Sequence, residues 1–145
     1  WALYGFLLAY QYTGKKQYQD ASKRVAHYFL ANAALTDYVP LLDFRAPLEP
    51  VYYDTTAGAI AACGLLAMAE TVGEYEKNLY QTGAIKLLRA IEERHCNWNL
   101  DEDAIVDFGS AKYHRESDRE VPIIYGDYFF IEGILRLVEK SFLIW

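Results

Sequence analysis

The sequence predicts an all-α fold built from helical hairpins, arranged as about half of an α/α toroid. Two observations support this prediction. Segments that are apolar on every side alternate with amphipathic segments, as expected for inner helices that are covered by outer ones. The pattern also repeats, because residues 5–14 (GFLLAYQYTG) and 64–73 (GLLAMAETVG) match, with glycine at both ends of each. Repeated hairpins bury their apolar faces by stacking on neighbours, and a ring supplies such neighbours.

The first hairpin is predicted in residues 1–32. Trp1–Tyr12 is apolar nearly all round, which predicts a helix buried on every side. Gly14 then provides a C-terminal stop signal. Lys16–Asn32 carries apolar residues on one face and charged residues on the other, and this pattern predicts an outer helix.

The second hairpin follows a long loop. Residues 36–54 contain three of the four prolines, and irregular loops of this length in a compact domain are often functional. Asp54 is predicted to cap an apolar inner helix in residues 55–73. The amphipathic segment Glu76–Arg94 is predicted to be its outer partner.

A third inner helix ends the pattern without an outer partner. The second long loop, His95–Pro122, leads to a helix predicted at about Tyr125–Val138, with Asp127 in its first turn. Two and a half hairpins correspond to about half of a ring. We therefore treat residues 1–145 as a single domain, and because the chain opens on Trp1 inside a helical pattern, we expect it to be part of a longer protein.

Composition excludes several classes of function. The net charge is −6 and no basic stripe is present, which argues against a nucleic-acid partner. The longest uncharged run, 55–69, is too short to span a bilayer. Cys63 and Cys96 are interpreted as reduced structural residues rather than a disulfide. No His, Cys and Asp grouping has metal-ligand spacing, so the residues predict no metal site.

Three segments resemble successive parts of the unsaturated glucuronyl hydrolases, glycoside hydrolase family 88. They are WALYGFLLAYQYTG, LLDFRAPLEPVYYDTTAGAIAACGLLAMA and VPIIYGDYFFIEGILRL. The resemblance covers essentially the whole chain in the right order, and it implies the C-terminal portion of an (α/α)6 barrel. The related unsaturated rhamnogalacturonyl hydrolases, glycoside hydrolase family 105, are the alternative.

The resemblance implies an uncommon hydrolysis. Such enzymes release a 4,5-unsaturated uronic acid from the oligosaccharides that polysaccharide lyases produce. A carboxylic acid protonates C4 of the double bond, water adds at C5, and the hemiketal opens. The resemblance implies neither a metal nor an organic cofactor. The family's general acid–base aspartate precedes the residue that matches Trp1, so we assign no catalytic residue here and expect residues 1–145 alone to be inactive.

Three candidate substrate-binding residues belong to the inner helices. Trp1 matches a family aromatic residue that lines the sugar pocket, although an ordinary core tryptophan is the alternative. Asp54 and Asp127 precede or open inner helices, whose N-termini favour anions. Capping is the alternative role for Asp54, and a structural carboxylate is the alternative for Asp127. Glu132 is expected to be hydrogen-bonded within the ring wall.

The loop FGSAKYHRE supplies the remaining candidates, Ser110, Lys112, Tyr113 and His114. Tyr113 falls close to a family tyrosine that touches the sugar, and in the family this loop reaches the sugar beyond the scissile bond. A solvated charged loop is the alternative interpretation. We do not propose Ser110 as a nucleophile.

The predicted partners are an unsaturated uronate oligosaccharide and a second copy of the chain. A half-ring would expose more apolar surface on its inner helices than a soluble monomer tolerates, which predicts self-association. If that association is its only role, the chain is a non-catalytic helical module. The resemblance suggests a bacterial-type cytoplasmic or periplasmic location without deciding between them.

Overall fold

A computed structural model describes residues 1–47 and 49–140. In these residues the chain forms α1 (Ala2–Thr13), α2 (Lys16–Ala33), α3 (Thr55–Ala69), α4 (Glu74–His95) and α5 (Ile124–Leu137), with short 3-10 turns at Ala34–Thr36 and Glu116–Asp118. Each predicted helix is present, and the all-α prediction is confirmed. The inner helix after Asp54 ends at Ala69, four residues before Gly73.

The ends of the helices follow local sequence signals. Gly14 adopts a left-handed conformation with φ 66°, and its N–H donates to the Tyr10 carbonyl at 2.8 Å, so the glycine stop is confirmed. Asp54 caps α3 by accepting a hydrogen bond from the Ala57 N–H at 3.3 Å. Helix α4 has acidic residues in its first turn and basic residues in its last, which suits the helix dipole.

The helices pack as two hairpins and a third inner helix. Helices α1 and α2 pair, α3 and α4 pair, and α3 also packs against both α1 and α5. Gly64 allows α1 and α3 to pack closely, because a Cβ there would clash with the Leu3 side chain and lie 3.1 Å from Tyr4 Cα. The inner helices α1, α3 and α5 therefore form one side-by-side row, with α2 and α4 outside it.

One inner-helix prediction is wrong. Helix α1 is not buried on every side: Leu3, Tyr4 and Leu7 are buried, whereas Phe6 is 39% exposed and Tyr12 is 71% exposed. The physical reason is that α1 packs against α2 and α3 and contacts α5 through Tyr4, and these contacts leave Phe6 and Tyr12 partly uncovered. Apolar composition all round did not guarantee burial all round.

A buried polar network joins α1 to α5. The Glu132 carboxylate accepts hydrogen bonds from the Tyr4 hydroxyl at 2.5 Å and the Arg136 Nε at 2.9 Å. Arg136 Nη2 also donates to the Tyr4 oxygen at 2.7 Å. The prediction that Glu132 is hydrogen-bonded within the wall is confirmed. Cys63 and Cys96 are both free, as predicted.

Candidate functional site

The two long loops meet at the N-terminal end of the inner helices. Three isolated antiparallel bridges organise them, between Leu41 and Tyr53, Cys96 and Val106, and Gly109 and Val121. The Thr55 hydroxyl donates to the Asp107 carbonyl at 2.6 Å, and its N–H donates to the Phe108 carbonyl at 3.1 Å. The loop of residues 96–123 is thus fastened to the start of α3.

A concave site opens beside this attachment, and we call it the Asp54 pocket. Its volume is about 430 Å³, which is within the range of small-ligand pockets. It is lined by Trp1, Leu42, Asp54, Thr56, Ala57, Ile60, Ser110, Ala111, Ile123 and Tyr125. Aromatic side chains form part of the wall, and polar groups of α3 and the loop form another part, so the pocket is amphipathic.

Asp54 lies where α3, the loop and the pocket meet. Its Oδ1 accepts hydrogen bonds from the Ala57 N–H at 3.3 Å and the Ser110 N–H at 3.2 Å. Burial raises the pKa of Asp54 above its usual value, and backbone N–H groups of Ser110, Ala57 and Thr56 oppose part of that rise. The predicted capping role is confirmed, and the residue also lines the pocket.

Ser110 is buried at the same wall, and its hydroxyl makes two hydrogen bonds. It donates to the Tyr53 carbonyl at 2.8 Å and accepts from the Glu120 N–H at 2.9 Å. The hydroxyl hydrogen is therefore committed to the protein. Ser110 anchors the loop at the pocket, and nothing in this geometry activates it as a nucleophile.

Trp1 and Tyr125 provide the aromatic side of the pocket. The Trp1 ring packs edge-on against Tyr125, with centroids 5.5 Å apart, and against Phe129 at 5.4 Å. Trp1 is nevertheless 68% exposed, so much of its ring remains available for a ligand. Flat, exposed indole and phenol rings suit stacking on a sugar.

Thr56 and Tyr125 also line the pocket, although neither was predicted as a site residue from the sequence. Thr56 Oγ1 is buried and has no hydrogen-bond partner among the described residues. The signal that could have found Thr56 is its place beside Asp54 in the first turn of α3. Tyr125 could have been found from its place beside Asp127, at the start of the neighbouring inner helix.

Asp127 lies at the same end of the ring as Asp54 but does not line the pocket. Its Oδ1 accepts hydrogen bonds from the Ile105 N–H at 3.1 Å and the Val106 N–H at 2.8 Å. These contacts fix the loop to the first turn of α5. The geometry matches the structural role that we weighed against substrate contact.

The structure does not bring Tyr113, Lys112 or His114 into the Asp54 pocket. Tyr113 packs edge-on against Tyr52 at 5.8 Å between centroids. Lys112 lies 3.8 Å from the Asp118 carboxylate and is exposed, as is His114. These three residues form the tip of the loop, beyond its attachment at Ser110.

A second, apolar concavity adjoins the pocket, and we call it the α1–α5 groove. It has a volume of about 430 Å³ and shares Trp1 and Tyr125 with the pocket. It is lined by Trp1, Tyr4, Gly5, Leu8, Ile124, Tyr125, Tyr128 and Phe129. The groove follows the inner face of the row, where the interior of a ring would lie.

The described residues contain neither a metal-binding cluster nor a membrane-spanning helix. In residues 1–47 and 49–140, no group of three or more His, Cys, Asp and Glu residues is placed to hold a metal ion. None of the helices in the same part of the chain is long and apolar enough to cross a bilayer.

Comparison with known proteins gives consistent relatives. No protein-family model matches the chain. The chain is 33% identical over 141 residues to an unsaturated glucuronyl hydrolase of Bacillus sp. (strain GL1), and 30% identical over 144 residues to an unsaturated chondroitin disaccharide hydrolase of Streptococcus pyogenes serotype M1. These matches cover 94% and 96% of the chain, but 37% and 36% of the relatives. The chain therefore spans little more than a third of their length.

Solved structures agree with the sequence matches. The crystal structure of the Bacillus sp. GL1 enzyme has a TM-score of 0.84 and 34% identity, covering 94% of this chain and 37% of that one. A variant of the Streptococcus agalactiae enzyme, complexed with dGlcA-GalNAc6S, has a TM-score of 0.90 and 26% identity, covering 100% of this chain and 39% of that one. Those structures are (α/α)6 barrels. In sequence and in fold, the chain is thus homologous to the unsaturated glucuronyl hydrolases over about a third of their length, consistent with their C-terminal part.

Proposed function

We propose that this chain supplies part of the sugar-binding site of an unsaturated uronyl hydrolase. The substrate class is an oligosaccharide that carries a 4,5-unsaturated uronic acid at its non-reducing end. The observation that carries the proposal is the Asp54 pocket, in which aromatic rings and buried polar groups meet at the N-terminal end of the inner helices. The homology to enzymes with this activity supports it.

The pocket chemistry suits a sugar ring better than an apolar ligand. Trp1 and Tyr125 offer aromatic edges and faces for the C–H groups of the ring. The first-turn N–H groups of α3 are engaged by Asp54, so this helix end cannot also receive the uronate carboxylate. We therefore assign sugar hydroxyl groups to this wall.

Asp54 is not proposed as the general acid. Its Oδ1 caps α3 and holds the Ser110 N–H, and in the family that the sequence resembles the general acid precedes the residue that matches Trp1. Under this proposal the general acid lies outside residues 1–145. These residues expressed alone are expected to leave the substrate intact.

The loop tip is proposed to contact the sugar beyond the scissile bond. Lys112, Tyr113 and His114 project past the attachment at Ser110, and Lys112 and His114 are exposed. The same tip separates the two substrate classes. Exchanging residues 111–115 for those of a rhamnogalacturonyl hydrolase should shift the preference between glycosaminoglycan and pectin disaccharides.

The test uses the full-length gene product and an unsaturated glucuronyl disaccharide. Hydrolysis removes the C4=C5 double bond, so its ultraviolet absorbance decays as the reaction proceeds. Trp1→Ala should raise KM about tenfold, equivalent to about 1.4 kcal/mol, because the sugar would lose its contact with the indole ring. Tyr12→Ala, which removes an exposed aromatic ring at the far end of α1, is the matched control.

A full-length protein that consumes neither glucuronyl nor rhamnogalacturonyl substrates would contradict the proposed function. An equal effect of Trp1→Ala and Tyr12→Ala would contradict the assignment of the pocket.

We also propose that the chain self-associates through the α1–α5 groove. Among the described residues, the groove exposes Ile124 and Tyr125, at 73% and 53%. A second copy offers the same apolar surface, so a twofold pairing would cover both. Sedimentation of residues 1–145 should show a dimer at micromolar concentration, and a stable monomer would contradict this second proposal.

A further inference from the structure

We infer that Asp54 is a positioning residue: its carboxylate fixes the Ser110 backbone, and through it the wall of the Asp54 pocket that Ser110 and Ala111 form. This inference rests on the proposed function, because the position of the wall affects activity only if a sugar binds there. Asp54 itself does not react.

One oxygen atom links the helix to the loop. Asp54 Oδ1 accepts the Ala57 N–H from within α3 and the Ser110 N–H from a loop residue 56 positions later in the chain. The first bond is an ordinary N-cap. The second is a long-range contact, and it fixes the position of the Ser110 backbone relative to the first turn of α3.

Ser110 also connects the two ends of this loop segment, because it contacts residues on both sides of the loop tip. Its hydroxyl bridges the Tyr53 carbonyl and the Glu120 N–H. The Glu120 side chain in turn accepts the Tyr53 N–H at 3.2 Å. Both strands of the loop and the residue before Asp54 are therefore held through Ser110.

The loop backbone at Gly109 packs closely against α3. A Cβ at Gly109 would lie 2.6 Å from Thr56 Oγ1 and 3.0 Å from the Val121 carbonyl oxygen. The loop backbone therefore lies nearer to α3 than a residue with a Cβ would allow. If the Asp54–Ser110 bond is lost, any shift of the loop changes the shape of the pocket, because Ser110 and Ala111 line it.

Asp54 contributes an acceptor oxygen that is far enough from its backbone to contact both the Ala57 N–H and the Ser110 N–H. Asparagine has the same length and retains such an oxygen, so it can accept both N–H groups. Serine also caps helices well, but its hydroxyl is shorter and can serve Ala57 without reaching Ser110. The pair Asp54→Asn and Asp54→Ser therefore separates the cap from the link to the loop.

The experiment measures kcat and KM of the full-length gene product with an unsaturated glucuronyl disaccharide. Asp54→Ser should raise KM about threefold to tenfold, the value of one hydrogen bond, with kcat within about twofold. Asp54→Asn should keep KM within about twofold of the wild type. Amide hydrogen exchange at Ser110 should be faster in Asp54→Ser than in Asp54→Asn.

Thr71→Val is the matched control for a general loss of stability. Thr71 follows the opposite end of α3, where its hydroxyl accepts a hydrogen bond from Gln19 Nε2 at 2.9 Å and donates to the Met68 carbonyl at 3.0 Å. It lies more than about 20 Å along the helix from Asp54. Its replacement should reduce the free energy of unfolding without changing KM or the exchange of Ser110.

Each outcome decides between the proposals. If the wild type hydrolyses the disaccharide and Asp54→Ser has an unchanged KM, the inference is wrong and the proposed function stands. If Asp54→Asn raises KM as much as Asp54→Ser, the charge matters and the positioning role is wrong. If the wild type neither binds nor hydrolyses the disaccharide, the proposed function is wrong and the inference falls with it.

Discussion

Helices α3 and α5 are both inner helices, yet their surroundings differ. In α3 every residue except Ala57 is buried, whereas α5 exposes Ile131 and Leu135 at 44% and 38%. Helix α3 lies between α1 and α5, while the outer flank of α5 faces no other helix in the described part of the chain. An apolar segment therefore predicts which helices form the inner wall. The helices packed on either side of it determine how much of its surface is buried.

The largest expected loss of stability comes from placing a charged residue in α3, compared with the same charge in α5. Ala62→Asp, at a fully buried position of α3, should reduce the free energy of unfolding by about 3 to 5 kcal/mol, because the carboxylate would be buried without a partner. Ile131→Asp on the open flank of α5 should cost less than about 1 kcal/mol. Urea denaturation checks both. Similar losses of unfolding free energy in the two variants would contradict the difference in burial and would indicate that another surface covers Ile131.

The two sides of α5 provide the next comparison. Glu132→Ala removes the carboxylate that pairs with Arg136 and Tyr4, and it should cost about 2 to 4 kcal/mol, because the buried guanidinium loses its nearest carboxylate and keeps only the more distant Glu70, at 3.8 Å. Ile134→Ala on the more exposed side of the same helix should cost about 1 kcal/mol or less. Thermal unfolding measures the difference. A small effect of Glu132→Ala would show that the network contributes little to joining α1 and α5.

A smaller effect is expected where the loop meets α5. Asp127→Ala removes the acceptor for the Ile105 and Val106 N–H groups, and it should cost about 1 to 2 kcal/mol. Hydrogen exchange of those two amides should accelerate more than exchange in the core of α3. Replacing Asp103, an exposed acid on the same loop, is the control. Unchanged exchange at Ile105 and Val106 would contradict the structural role of Asp127.

The smallest expected effect is a pH dependence of stability at the end of α4. The His95 ring packs against Phe108 at 4.8 Å and Tyr53 at 6.0 Å between centroids. Burial, with a smaller contribution from Arg94, lowers the pKa of His95 below its usual value, although Glu120 and Asp107 oppose this. The unfolded chain therefore binds a proton first, and stability falls as the pH drops below the usual histidine value of 6.5.

His95→Phe should remove that acid-induced loss, and urea denaturation between about pH 5 and about pH 7.5 checks it. Asp54→Asn provides a pH dependence of the opposite sign, and its profile is measured from about pH 3.5 upward, because the ordinary pKa of the Asp carboxyl is 3.8. The pKa of Asp54 is raised in the folded state, so the wild type loses stability relative to this variant as the pH rises through the raised value. Parallel pH profiles for the wild type and both variants would contradict both assignments.

The sequence predicted the wall and three residues that line the pocket, Trp1, Asp54 and Ser110, but not the rest of the pocket. Gly14, the Asp54 cap and the apolar run of α3 are local signals, and the structure places the corresponding helix ends within a few residues of the prediction. Thr56 and Tyr125 were missed, because their presence in one pocket depends on how α3 and α5 lie side by side. Lys112, Tyr113 and His114 were grouped with Ser110 by their order in the loop. The attachment at Ser110 separates them from the pocket.

The sequence by itself determined the helices, their alternation and their repeat, because helix formation, capping and amphipathicity depend on residues a few positions apart. It also placed Asp54 and Asp127 at the same end of parallel inner helices. Only the tertiary structure decided that α3 is enclosed while α1 and α5 each leave a flank open. It also decided that one carboxylate oxygen of Asp54 holds Ser110. The reason is physical: burial and long-range hydrogen bonds depend on distances between segments that are far apart along the chain.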